Sequence, residues 1–200
     1  MKKIIATVLF LMVLMSSSFA QSSEHLKFKG VPIDGTLNEH VSKMKQAGLQ
    51  LVEIEDGVAI MNGNFAGYND CQIGIKSSQK QDLVYEVMVI FPIQSKWAGL
   101  NNNYENLKSM LLQKYGNPIE CVEEFALLKE KSKDEINKIM MDNVAFLCNI
   151  GMCTWYSSFE TLNGSIELSI ENHGFSYFVL LLYYDKINYD KYKDAAMEDL

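Results

Sequence analysis

The chain has 200 residues, 48% of them hydrophobic and 22% charged, with only three prolines, which excludes a disordered, collagen-like or multi-span membrane protein. Its 18 basic residues are all lysines against 25 Asp and Glu, a formal net charge of −7. An acidic chain without arginine is poorly suited to gripping phosphate backbones, so nucleic acid is not expected as a partner.

The first twenty residues read as an address. Lys2 and Lys3 precede an apolar run from Ile4 to Met15, and Ser16 to Ala20 is a small-residue segment ending in Ser18-Phe19-Ala20, an A-x-A-like cleavage site before Gln21. The run falls short of the ~20 residues needed to span a bilayer. No cysteine lies at or just after the cut, so a lipid anchor is not indicated. Cleavage leaves 16 lysines against 25 acids, a net charge of −9, in a protein expected in the periplasm or outside the cell with no membrane span.

Thr36 and Glu39 form a capping box, and Leu37, Val41 and Met44 recur at helical spacing until Gly48, predicting a helix over 37–47. Gln50 to Glu55 and Val58 to Met61 flank Asp56-Gly57 as a hairpin. Strands follow at Gln72 to Lys76 and Leu83 to Phe91, the latter ended by Pro92. A second apolar stripe, Trp97, Leu100, Tyr104, Leu107, Leu111 and Tyr115, predicts a helix opened near Ser95 and closed by Gly116.

Cys121 to Phe125 reads as the next strand. Ser132 to Glu135 is another capping box, opening an amphipathic helix through Ile136, Ile139, Met140, Val144 and Leu147. Thr154 to Thr161 and Ser165 to Glu171 flank Asn163-Gly164 as a hairpin, and Tyr177 to Tyr184 is a second long apolar strand. The expected fold is therefore α+β, with two tandem helix-plus-antiparallel-sheet units over 21–95 and 96–200 and an extra helix inserted in the second.

Strand periodicity separates two faces. Ile166, Leu168 and Ile170 point one way and Glu167, Ser169 and Glu171 the other. The two long strands are apolar on both sides, so they are either covered twice or present an apolar patch. That question turns on Met88, Ile90, Phe178, Leu180, Leu182 and Tyr184, the candidate interaction patch.

Motifs that would carry chemistry are missing. The three histidines, His25 in a mobile N-terminus, His40 beside the first helical stripe and His173 in a turn, form no zinc pair. There is no calcium loop, phosphate-binding glycine loop or G-x-S-x-G elbow. No cofactor, metal site or catalytic residue is therefore assigned. Four cysteines in an oxidising compartment invite disulfides, with Cys148 and Cys153 the easiest pair to join, although some equally suit a buried apolar role. Trp155, Tyr156 and Tyr183 are candidate ligand aromatics for a cleft between the halves.

The stretches Phe28 to Gly35 (FKGVPIDG), Gly63 to Tyr68 (GNFAGY), Phe91-Pro92 with Trp97, Leu111 to Pro118 (LLQKYGNP), Gly164 to Ile170 (GSIELSI) and Tyr183 to Lys186 together resemble a family of uncharacterised small secreted proteins from gut-dwelling anaerobic bacteria. That resemblance implies no activity. In architecture the tandem unit looks like the fold of the beta-lactamase inhibitor protein and of small outer-membrane-assembly lipoproteins, which bind protein partners on an open sheet. The expected function is a non-enzymatic module binding an envelope or extracellular protein; the alternatives are a glycan or small-ligand binder and a hydrolase.

Overall fold

Period-two strands separated by short turns build one antiparallel sheet of eight strands in the computed structural model, which describes residues 24–125, 153–174 and 176–198. A short hairpin, β1 (Lys27–Phe28) and β2 (Val31–Pro32), precedes helix α1 (Leu37–Gln46). Next in the chain are four strands, β3 (Gln50–Glu55), β4 (Val58–Phe65), β5 (Tyr68–Ser77) and β6 (Val84–Ile90). Then come α2 (Trp97–Tyr115), β7 (Glu120–Phe125), β8 (Cys153–Thr161), β9 (Gly164–His173), β10 (Ser176–Asp185) and α3 (Lys186–Met197). The chain is α+β, with three helices among the described residues. The predicted helix over Ile136 to Leu147 lies outside them.

The sheet order is β3-β4-β5-β6-β10-β9-β8-β7. Two meanders thus meet at a central seam, where β6 and β10 pair from Leu180 opposite Ile90 to Tyr184 opposite Glu86. Local signals explain the first meander well. The Thr36 hydroxyl accepts from Glu39 N–H while the Glu39 carboxylate accepts from Thr36 N–H, the complete capping box. Asp56 and Gly57 turn β3 into β4 with φ of 48° and 77°, the left-handed pair that matches strand twist.

The second hairpin differs from its prediction by one residue. Thr161 pairs with Gly164, so the turn is Leu162-Asn163 rather than Asn163-Gly164. The Thr161 hydroxyl accepts from Asn163 N–H and donates to the Gly164 carbonyl, building the turn from its own side chain. Gly164 is needed inside the strand, because a Cβ there would lie 2.0 Å from the Tyr184 carbonyl oxygen.

One face of the sheet holds the core. α1 packs on β3 to β5 and α2 on β8 to β10, over Met61, Ile73, Val89, Leu181 and Leu168, which line up across adjacent strands. Tyr104 of α2, fully buried, satisfies its hydroxyl on Ser157 at 2.7 Å. The opposite face carries only α3 among the described helices, in contact with β6, β9 and β10 at one end of the seam.

Sequence periodicity does not predict α3. Its single buried residue is Asn188, so it lacks the apolar stripe that marks α1. Asp185 ends β10 and caps α3 at once, accepting from Asn188 N–H at 2.9 Å. His25, expected to be mobile, is instead tied down between Asp185 at 3.0 Å and Asp34 at 3.4 Å, and Leu26 N–H donates to Asp185 at 2.8 Å. The Asn188 carboxamide completes the tie by donating to the carbonyls of Ile33 and Val84.

Because those carbonyls are buried acceptors, Asn188→Ala is expected to cost about 2–3 kcal/mol, read from the urea unfolding midpoint. A cost below about 0.5 kcal/mol, the ordinary range for a surface substitution, would contradict the role given to this residue.

Candidate functional site

On the face away from α1 and α2, cross-strand neighbours again line up in rows. One row runs Glu53, Ile60, Gly74, Met88, Leu182, Glu167, Ser158 and Glu120. The next runs Gln50, Asn62, Gln72, Ile90, Leu180, Ser169, Tyr156 and Val122. In both, the residues on the seam strands are apolar and most of the others are polar, Ile60 on β4 and Val122 on β7 being the apolar exceptions. Gly74 matters to this centre: the Met88 side chain lies where its Cβ would be, 2.9 Å from the Met88 terminal methyl.

All six residues of the predicted patch, Met88, Ile90, Phe178, Leu180, Leu182 and Tyr184, fall on this face, and every one is half-buried rather than covered. Their in-strand neighbours Val87, Val89, Val179 and Leu181 are fully buried on the other face. The seam is thus apolar on both sides but covered completely on only one. At one end, α3 shields the patch through tyrosines: Tyr189 lies 5.2 Å from Tyr184, and Tyr192 stacks on Tyr85 at 4.4 Å. Tyr85 reaches that side because a bulge in β6 makes it an extra residue between Ser77's partner Val84 and Lys76's partner Glu86.

The charges on this face are carboxylates apart from Lys76. Glu86, 6% exposed, is paired with Lys76 at 2.8 Å, which makes this buried charge tolerable. Lys76 is the only lysine on the described strands of the large sheet. Beside α3 lies an open cleft of about 350 Å³, whose walls include Ile119, Glu160, Glu167, Tyr184 and Tyr189. Burial raises the Glu167 carboxyl above its ordinary pKa, Glu86 and Glu120 push the same way, and the Tyr156 hydroxyl opposes them.

The predicted ligand aromatics do not share a cleft. Trp155 and Tyr183 face the helices, Trp155 edge-on to Trp97 at 4.7 Å and Tyr183 buried beside Phe28, whereas Tyr156 stands on the opposite face. A strand alternates its side chains, so adjacent Trp155 and Tyr156 cannot line one wall. Among the described residues no disulfide is formed, and Cys148 lies outside them. Cys71 is buried, and burial pushes its thiol pKa up, as suits a core residue.

Among the described residues, none of the three histidines has a cysteine or serine among its hydrogen-bond partners. Both ring nitrogens of His25 are engaged by carboxylates, His40 is buried, which lowers its pKa, and His173 is exposed. The described residues contain no group of three or more His, Cys, Asp or Glu able to hold a metal ion. None of their helices is long and apolar enough to cross a membrane. No family model, curated protein or solved structure matches the chain.

Glu167 yields a test with a definite sign. With its folded pKa raised, the unfolded chain releases this proton first, so stability is undiminished below the ordinary carboxyl range and falls as pH rises through it toward the raised value. Glu167→Gln is therefore expected to be more stable than the parent at pH 7 and equal to it near pH 3, by urea midpoints. A variant less stable at pH 7 would contradict the account of its environment.

Proposed function

We propose that this chain is an exported, non-enzymatic interaction module that binds a protein of the envelope or the extracellular space through the open face of its sheet. The observation that carries this reading is the partly exposed apolar strip on β6 and β10, formed by residues whose alternate neighbours fill the core. A strip of Met, Ile, Leu and Phe at the centre of a broad sheet, bordered by polar strands, has the anatomy of a protein interface: apolar in the middle, wet at the rim.

Two further features support the proposal. Among the described elements the helix–four-strand order occurs twice, with the last strands of both runs joined at the seam, which we read as a tandem duplication resembling the open-sheet fold of the beta-lactamase inhibitor protein. The signal-like N-terminus accounts for export. A rigid sheet also supplies a preorganised surface, so little ordering free energy is lost on binding.

The double variant Met88→Glu/Leu180→Glu tests the reading directly. Because both positions are partly exposed, the variant is expected to fold, with an unchanged far-UV spectrum. Leu181→Glu on the core face is expected to unfold the chain. Quantitative capture from envelope extract is then expected to recover a partner with the parent chain and to lose it with the double variant. The change in affinity should be at least ~30-fold, about 2 kcal/mol, the scale of a central interface anchor. Equal recovery by both chains, or no partner at all, would sink the proposal.

A further inference from the structure

Resting on the open-face reading, the charge pattern specifies the partner further. The apolar centre is bracketed at both ends by carboxylates, Glu53 on β3 and Glu120, Glu160 and Glu167 on β7 to β9. Lys76, the only lysine on the described strands of this sheet, is neutralised by Glu86. Along the row from Glu53 to Glu167 there are five strand spacings, so the brackets stand roughly 24 Å apart at ~4.8 Å per strand.

We infer that the face receives a protein segment whose apolar side chains are bracketed by lysines or arginines at about that separation. The cleft beside α3 offers a socket for one of those cations, with Glu160 and Glu167 as acceptors and the Tyr184 and Tyr189 rings as walls. Lys186 and Lys193 also border it, but Lys193 is engaged with Asp190 at 3.7 Å and with the Tyr189 ring. A second copy of the chain is a poor occupant, because face-to-face pairing brings carboxylate rims together. An anionic lipid surface is opposed by the same rim.

The experiment is selection from a displayed library of random peptides of about 20 residues against the protein purified after export. Parallel selections use Met88→Glu/Leu180→Glu and the rim variant Glu120→Lys/Glu160→Lys, whose positions are exposed and not needed for packing. The expected result is enrichment of apolar peptides carrying lysine or arginine toward both ends. Their affinity should fall at least tenfold between 50 and 300 mM salt and at least tenfold on the rim variant, and be lost on the patch variant. Enrichment of neutral or acidic peptides that still depend on Met88 and Leu180 would overturn the charge inference and leave the open-face reading standing. No enrichment, or enrichment indifferent to the patch variant, would overturn both.

Discussion

The pairing of β6 with β10 is the contact on which the rest of the molecule depends. Each of these strands ends a meander, so without the seam the chain would be two four-stranded sheets, each with a long apolar edge. Joining them buries both edges in backbone hydrogen bonds and sets Val87, Val89, Leu181 and Tyr183 into one continuous core beneath α1 and α2. The register that does this also fixes the other face. Because side chains alternate, the residues between those core positions must emerge together on the far side, and they too are apolar.

The two faces are therefore covered unequally. Among the described residues two helices cover one face, whereas the other has one short helix held at its end by tyrosine rings and by the Asp185–Asn188 tie. Glu86 with Lys76, and Tyr85 turned outward by the β6 bulge, give α3 a seat without extending cover to Met88, Ile90 or Leu180. The outer strands are protected differently. β3 bulges between Leu51 and Glu53 and carries Glu53 and Glu55, devices that discourage sheet-to-sheet aggregation and also place negative charge around the apolar centre.

Much of this was legible in the sequence because the signals are local. The Thr36–Glu39 capping box, the Asp56-Gly57 turn and the alternation of Ile166 to Glu171 each act within a few residues, whereas the doubly apolar strands are equally consistent with a second covered face and with a patch. The features that sequence reasoning missed depend on distance. His25 meets Asp185 across 160 residues, so nothing near either residue foretells the tie. α3 comes directly after β10 without a linker and buries only Asn188, leaving no periodic stripe to read. Gly164 belongs to the strand rather than the turn because the Tyr184 carbonyl of a neighbouring strand leaves no room there for a Cβ. Trp155, Tyr156 and Tyr183 share aromatic chemistry, but strand alternation divides them between two faces.

Hydroxyl-radical footprinting of the native monomer tests the central claim most directly, since it reads side-chain accessibility one residue at a time. The account predicts that Met88, Ile90, Leu180 and Leu182 are modified in the folded chain while Val87, Val89 and Leu181, their neighbours on the same strands, stay protected until unfolding. Equal protection of both sets in the monomer would mean that the second face is covered, and the binding surface would have to be abandoned.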